Sequence, residues 1–320
     1  MSTYAETGWA RAIAHGLVLA GLIFAVYFFF LVVPTAHSLG IDGLAYWMVN
    51  VPDAYAIPHR AAASFPYSPP AAIAADPFGL IPFWQFLWLW LALLVGSVIW
   101  IGGSPGWIVV AFAIPFVSLE LYYANIHILL AVAILLGFRH PWTWAFVLLT
   151  KFTAGVGLLW FVVRGEWRSL AIALGATAVA CAASFLAFPS MWPAWIDYVR
   201  VAMRIDTDPT WTNLVRVPLW IRLMLAALLV TWGARTDRRW TVLVSAMMAL
   251  PVLWVHGFAM LVGLIAEWRL LRATTPTLAA RALARMGAAM PLWLYRWLPL
   301  MTPADRGVGV SDDAAGGQLR

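Results

Sequence analysis

The sequence predicts an all-α polytopic membrane protein. The chain has 320 residues, of which 63% are hydrophobic and 11% are charged, and its mean hydropathy is +0.84. A soluble domain usually carries about 25% charged residues, so this composition excludes a soluble enzyme, a disordered chain and a nucleic-acid-binding domain. The apolar residues form runs of the length of membrane helices, which need about 20 residues each. Trp and Tyr cluster at the ends of these runs, as they do at membrane interfaces.

The apolar runs predict about eight full spans and one broken segment. The first run is longer than the apolar core of a signal peptide, so we interpret it as a transmembrane helix. The run at 142–163 is the exception discussed below. The runs lie at 14–34, 83–102, 106–119, 126–138, 142–163, 169–188, 218–233, 240–255 and 256–271.

Polar segments divide the rest of the chain. Residues 37–81 and 189–217 predict two external loops, and the first is acidic and long enough to carry juxtamembrane helices. We predict a transmembrane domain at 1–272 that contains both loops. Residues 273–320 predict a cytoplasmic tail, which is first amphipathic and then polar, Gly-rich and disordered.

The basic residues of the short loops indicate how the chain is oriented. Arg139, Arg164 and the Arg235–Arg239 loop should all be cytoplasmic. A single crossing by 142–163 would place the later basic loops outside. Each arm of this run on either side of Lys151 has at most about 12 residues, which as helix cannot cross a hydrocarbon layer about 30 Å thick. We therefore predict a re-entrant helical hairpin that bends near Lys151 and Gly155.

Lys151 is the single lysine among 20 basic residues, and it lies inside an apolar run. An ionisable residue in the membrane is functional by default, and this one is best suited to hold an anion. The alternative is a lysine that reaches along the hairpin to an interface. With the hairpin in place, polar side chains fall together on the external side: Asp42, Glu120, Asn125, Asp206, Asp208, Asn213, Arg216 and His256.

Signatures of soluble enzymes are absent from the sequence, including a P-loop, GxGxxG, CxxC and HExxH. Asp206-Thr207-Asp208 forms a DxD in a short loop, which we interpret as solvated. The sequence contains no concentrated cluster of metal ligands, so we predict no metal. Glu120 and His256 lie at the ends of apolar runs, where an interfacial side chain and a functional one are both consistent with the pattern. Asp42 alone would be an ordinary loop residue.

Several short elements follow one another along the chain: Asp42, Tyr46, Tyr55, an F-x-Y-x-P-P element at 65–70, Tyr123-Ala124-Asn125, Lys151-Phe152-Thr153-Ala154, an R-x-x-W-R element at 164–168, Asn213 and Trp254-Val255-His256. Their order resembles glycosyltransferase family 87 of the GT-C superfamily, and the resemblance runs over residues 13–270. The sequence departs from the family in two places, since the Gly and Gln expected before Asn125 are absent and Ala154 stands where the family has Pro.

The resemblance implies a GT-C-like helical bundle that uses a sugar linked to polyprenyl phosphate. It implies an inverting transfer, with mannose as the expected sugar, to a glycolipid or polysaccharide acceptor of the cell envelope. The enzyme would be a multi-pass plasma membrane protein whose site faces the external or periplasmic side, with membrane lipids as partners and without nucleic acid, cofactor or metal. It implies Asp42 as the general base, Lys151, His256 and Arg216 as phosphate ligands, and a substrate groove formed by Tyr46, Tyr67, Glu120, Tyr123, Asn125 and Asn213.

Other functions are compatible with the residues alone. A transporter or lipid flippase would use Lys151 and Glu120 as an intramembrane substrate or proton-coupling site. A non-catalytic scaffold would retain the fold without the chemistry. A GT-C enzyme of another family would transfer the sugar to a protein.

Overall fold

The computed structural model of the protein describes residues 2–59, 61–205 and 217–270. These residues form helices and connecting segments, with no strand among them, which confirms the all-α prediction. Asp206, Asp208, Asn213 and Arg216 lie outside the described residues, and so does the tail at 273–320. The division into domains at 272 and 273 therefore stays a prediction.

Helices follow one another along the described residues with short connections. A π-helical turn at Phe28–Val32 joins the first two helices, and 3₁₀ segments lie at Asp76–Leu80, Pro141–Thr143, Phe152–Leu158 and Val255–Gly263. The α-helices are α1 Ser2–Tyr27, α2 Val33–Ala36, α3 Ile41–Met48, α4 Pro69–Ala75, α5 Phe83–Gly102, α6 Pro105–Phe112, α7 Pro115–Tyr123, α8 His127–Gly137, α9 Trp144–Thr150, α10 Leu159–Arg164, α11 Trp167–Ala187, α12 Met191–Ile205, α13 Leu219–Thr236 and α14 Trp240–Met248.

Fewer helices are long enough to cross a membrane than the apolar runs suggest. Among the described residues four qualify, and a fifth does if α6 and α7, which are bent by 71°, are one broken span. The prediction of about eight full spans is therefore not confirmed. The qualifying helices are Trp9–Ala36, Phe83–Gly102, Trp167–Ala187 and Leu219–Thr236.

The difference arises because several apolar runs contain breaks. Helix α8 has 11 residues and α14 has 9, which correspond to less than about 20 Å of helix at 1.5 Å per residue. The run at 256–271 begins with the 3₁₀ segment Val255–Gly263. Hydrophobicity continues through these breaks, so a count of apolar residues does not detect them.

The segment at 142–163 is broken at Lys151. Helix α9 ends at Thr150, Lys151 takes φ −133° and ψ 71°, and the chain continues as a 3₁₀ helix and then α10. The predicted break therefore occurs at the lysine. Placement of this segment as a re-entrant hairpin in a membrane stays a prediction.

The two ends of this broken segment lie on the same side of the protein. The ring of Phe138, before α9, packs at 5.5 Å from the ring of Trp160 in α10. Arg164 donates to the carboxylate of Asp237 at 3.0 Å, and the guanidinium of Arg239 lies 5.2 Å from the centroid of the Phe138 ring. We call the region formed by these five residues the arginine face.

The Phe65–Pro70 segment is buried inside the bundle. Phe65 and Tyr67 expose only 2% and 5% of their surface. The N–H and the hydroxyl of Ser68 both donate to the carbonyl of Leu149, at 3.2 and 2.6 Å. These bonds fix the end of α9, and with it Lys151, against the segment that carries Tyr67.

A buried arginine organises the connection between α14 and the 3₁₀ segment Val255–Gly263. Arg222 of α13 is 6% exposed and donates to the carbonyls of Met248, Leu250 and Pro251 at 2.8, 2.6 and 3.0 Å. The fixed fork of a guanidinium suits several carbonyls at once. Arg222 therefore holds the turn that precedes His256.

Substitution Arg222→Met should lower the free energy of unfolding by about 2–4 kcal/mol, because several buried carbonyls lose their donor. Denaturant or thermal unfolding of the detergent-solubilised protein measures this loss. Arg235 is exposed in the last turn of the same helix, so Arg235→Met should change the value by less than about 0.5 kcal/mol. Equal stability of the two variants would contradict the role of Arg222.

Candidate active site

Helix α3 carries Asp42 to the connection between α7 and α8. Gly40 precedes α3 with φ +77°, and its N–H donates to the carbonyl of Tyr122 at 2.7 Å. A Cβ at Gly40 would lie 2.6 Å from the side chain of Leu87, so this turn requires glycine both for its conformation and for its space. Asp42 then lies in the first turn of α3 with 34% of its side chain exposed.

Asn125 is the centre of the hydrogen-bond network around Asp42. Its Nδ2 donates to Oδ2 of Asp42 at 2.6 Å. Its Oδ1 accepts from the N–H of Ile126 at 2.7 Å and from the hydroxyl of Tyr46 at 3.2 Å. The N–H of Ile126 can only donate, so the amide oxygen must face it and the amide nitrogen must face the carboxylate. Asn125 is thus oriented to hold an ionised Asp42.

Two tyrosines extend the network to Lys151. The hydroxyls of Tyr46 and Tyr67 lie 3.0 Å apart, and their rings stack with centroids 5.7 Å apart. Nζ of Lys151 lies 4.9 Å from the centroid of the Tyr67 ring, within the range of a cation–π contact. Burial raises the pKa of both phenols above the ordinary value, so they remain neutral hydrogen-bonding groups.

His256 closes the network on the other side of Asp42. Its Nε2 lies 3.5 Å from Oδ2 of Asp42 and 3.4 Å from Nδ2 of Asn125. Its ring packs at 4.6 Å from the ring of Tyr123 and is stacked at 6.4 Å from that of Trp254. The ring is therefore fixed by aromatic neighbours while its Nε2 faces the carboxylate.

A buried Glu–His pair lies behind His256. Glu120 and His127 are 0% and 1% exposed. The carboxylate of Glu120 accepts from the backbone N–H of His127 at 2.5 Å and pairs with its Nδ1 at 3.0 Å. The rings of His127 and His256 have centroids 5.2 Å apart. Glu120 therefore lies behind His256 as seen from Asp42. Because it is completely buried, it does not line a substrate groove.

His127 is a residue that the sequence reasoning missed. The available signal was that two polar residues, Asn125 and His127, lie at the start of an apolar run, where polar side chains are unexpected. The structure shows that both take part in the same cluster.

Glu120, His127 and His256 also have the composition of a transition-metal site. One potential ligand atom from each lies within 4.8 Å of the others. The sequence did not suggest such a cluster, because nothing singled out His127 and because His256 is far from Glu120 in the chain. Both oxygens of Glu120 are already engaged by His127, which accounts for the burial of this carboxylate without an ion. The expectation that no metal is used stays a prediction.

Burial also affects the carboxyl group of Asp42. Partial burial raises the pKa of Asp42 from 3.8 to about 6, and the nearby Glu120 acts in the same direction. The hydrogen bond from Asn125 and the charge of Lys151 lower this pKa and so limit the increase. Asp42 is therefore ionised near neutral pH and remains a better proton acceptor than an exposed aspartate.

The structure thus brings together most of the side chains that the sequence singled out. It leaves Asn213 and Arg216 outside the described residues. The gathered residues are Asp42, Tyr46, Tyr67, Glu120, Tyr123, Asn125, Lys151 and His256.

Comparison with known proteins assigns the family. The model of Glycosyltransferase family 87 matches residues 65–295, which is more than half of the chain. No curated protein and no solved structure matches. The matched range includes Tyr67, Asn125, Lys151 and His256 and begins after Asp42, which joins them through its bond to Asn125. The chain therefore belongs to glycosyltransferase family 87, as the order of its motifs predicts, and is a glycosyltransferase.

Proposed function

We propose that the protein transfers a sugar, with mannose as the expected one, from a polyprenyl-phosphate donor to an acceptor hydroxyl with inversion. The observation that carries this proposal is the arrangement of one carboxylate and one cation around the Tyr46–Tyr67 pair. Asp42 is held by Asn125 at one end of this pair, and Lys151 lies against the ring of Tyr67 at the other. A base and an anion-binding group are the two functions that such a transfer needs.

Asp42 acts as the general base in this proposal. Its side chain is oriented by Asn125 and His256 and still exposes 34% of its surface, so an acceptor hydroxyl can approach it. The carboxylate takes the hydroxyl proton while the oxygen attacks the anomeric carbon, and the bond to the lipid phosphate breaks on the opposite face. Attack opposite to the leaving group inverts the anomeric configuration.

Lys151 binds the phosphate of the donor and of the polyprenyl phosphate that leaves. An ammonium group is a compact charge that suits a phosphate, and it stabilises the negative charge that develops as the bond breaks. His256 faces the same space from the other side of Asp42 and is proposed as a second phosphate contact. Tyr123, which is partly exposed, would then line the space for the sugar.

An apolar groove beside Lys151 provides room for the lipid chain of the donor. The groove has a volume of about 260 Å³. Its wall is formed by Phe152, the residue after the lysine, and by Trp195, Ile196, Val199, Arg200 and Met203 of α12. A polyprenyl chain is a branched hydrocarbon, so burial against such side chains favours its binding. The position of this groove at the residue that follows the lysine supports a lipid-linked donor.

The arginine face supports a location for the site. Arg-rich loops lie on the cytoplasmic side of membrane proteins, and Lys151 is at the tip of the broken segment whose ends lie at that face. The site would then open to the external side of the plasma membrane, towards a glycolipid or polysaccharide acceptor.

The alternative of a transporter or lipid flippase would use Lys151 and Glu120 as a substrate or proton-coupling site. Glu120 is 0% exposed and its carboxylate is bonded to His127, which favours the enzyme over this alternative.

Substitution Asp42→Asn should lower kcat for transfer by at least about a hundredfold, because a positioned general base contributes about 10²–10⁴. Donor affinity should change little. Radiolabelled polyprenyl-phosphate sugar gives both values through product formation and binding. Asp237→Asn is the control at the arginine face, where the same loss of charge should leave kcat unchanged. Retention of full transfer by the Asp42 variant would remove Asp42 from the mechanism.

The pH dependence of kcat/KM should show an acid limb near pH 6, because the active base is ionised and burial raises the pKa of Asp42 to about 6. Activity should therefore fall as the pH drops through this value. Asn125 and His256 contact Asp42, and the charges of Glu120 and Lys151 act on it from further away. Asn125→Leu removes a hydrogen bond to the ionised form and should move the limb to higher pH. A limb that stays in place in this variant would contradict the assignment to Asp42.

Substitution Lys151→Met should raise KM for the donor by about tenfold or more, the cost of one charge-assisted hydrogen bond. KM for the acceptor should change less. Lys151→Arg keeps the positive charge and should recover part of the affinity. An unchanged donor KM in Lys151→Met would exclude this residue from the phosphate site.

A further inference from the structure

Helix α12 separates two cavities of different chemistry. The side chains of Ile196, Val199 and Met203 repeat at helical spacing and line the apolar groove described above. Ala194, Asp197, Tyr198 and Val201 lie on a different face of the same helix and line a second cavity of about 500 Å³. We call this second space the 53–59 cavity, because residues of the 53–59 segment form its other wall.

Three aromatic rings form one part of the 53–59 cavity. The rings of Tyr55 and Tyr198 have centroids 5.9 Å apart, and the ring of His59 meets that of Tyr198 edge-on at 5.6 Å. Nδ1 of His59 lies 3.3 Å from the hydroxyl of Tyr198. Mutual packing fixes these rings in place, so a ligand would meet a preformed aromatic surface.

Two carboxylates also line the 53–59 cavity. Asp53 and Asp197 both line it and both are exposed. Asp197 forms a surface ion pair with Arg200 at 2.9 Å, in which both side chains remain more than half exposed. Carboxylate oxygens accept hydrogen bonds from hydroxyl groups, and aromatic rings pack against apolar C–H faces. An uncharged sugar offers both surfaces in one ligand.

The charges near the two cavities would favour a different substrate in each, an anionic donor in one and a neutral ligand in the other. Phe152, which lines the apolar groove, directly follows Lys151, whose charge attracts an anion, whereas Asp53 and Asp197 line the other cavity and repel one. A donor that carries a phosphate and a hydrocarbon chain fits the side of α12 with the groove. A neutral, hydroxyl-rich ligand fits the 53–59 cavity.

The cavity is connected to the candidate active site through Tyr55. Its hydroxyl donates to the carbonyl of Tyr67 at 2.9 Å. The hydroxyl of Tyr67 meets that of Tyr46, which bonds to Asn125 and so leads to Asp42. A ligand in the 53–59 cavity would therefore contact Tyr55, and these hydrogen bonds join Tyr55 to the tyrosine pair and to the proposed base.

We propose that the 53–59 cavity is the acceptor subsite and binds an uncharged sugar unit of the acceptor. This proposal rests on the proposed function and adds to it the place and chemical class of the acceptor. Helix α12 then acts as a wall, with the lipid chain of the donor on one face and the acceptor sugar on another. Asp53 and Asp197 select for hydroxyl groups and against phosphates.

Photolabelling of the full-length protein in nanodiscs tests this subsite without requiring activity. The probes are an octyl hexoside that carries a diazirine next to the sugar and an octyl phosphate that carries it at the same carbon. The hexoside should label peptides from residues 52–59 and 191–201, and unlabelled octyl hexoside should compete for these positions. The octyl phosphate should label them at least about tenfold less.

The double variant Asp53→Asn/Asp197→Asn should weaken hexoside labelling by about tenfold, because hydrogen bonds to charged groups are replaced by neutral ones. The midpoint of thermal unfolding of the double variant should match that of the wild type, which reports that the variant is folded. Asp237→Asn, at the arginine face, should label like the wild type.

Equal labelling of the cavity by both probes, hexoside labelling elsewhere, or full labelling of the double variant would each overturn the acceptor subsite. Failure of the proposed function has a different signature, since Asp42→Asn would then retain transfer whatever the labelling pattern. The two ideas can therefore fail separately.

Discussion

The hydrogen bond from the amide of Asn125 to the carboxylate of Asp42 is the interaction on which the rest of the site depends. A carboxylate in a partly buried position is stable as an anion only when donors face it. Asn125 can serve as that donor because the N–H of Ile126 and the hydroxyl of Tyr46 occupy its oxygen. The orientation of one amide thus connects the base, the tyrosine pair and the start of α8.

The side chains of the site come from places where helices stop. Ala124 ends α7 in a left-handed conformation, Lys151 ends α9, and His256 follows the non-helical turn held by Arg222. Irregular backbone at membrane depth is tolerated where protein or a watery cavity surrounds it. The same breaks that shorten the helices therefore create the candidate active site. This is why the apolar runs overstate the number of spans.

Part of this arrangement could be predicted from the sequence, and the reason differs from residue to residue. Lys151 stood out because a charge in an apolar run is costly, and its break was expected from the short arms on either side. Asp42, Asn125 and His256 were identified by the order of motifs, since single polar residues carry little information. His127 escaped because no motif pointed to it. Helix ends inside continuous hydrophobic runs were not visible, because hydrophobicity reports burial and not backbone continuity.

A structure of the full-length protein with polyprenyl phosphate bound tests the central claim most directly. The account predicts that the phosphate lies between Nζ of Lys151 and the ring of His256, that the lipid chain follows the groove beside Phe152, and that Asp42 faces the sugar position from the opposite side. A phosphate bound at the arginine face, next to Arg164 and Arg239, would contradict the account.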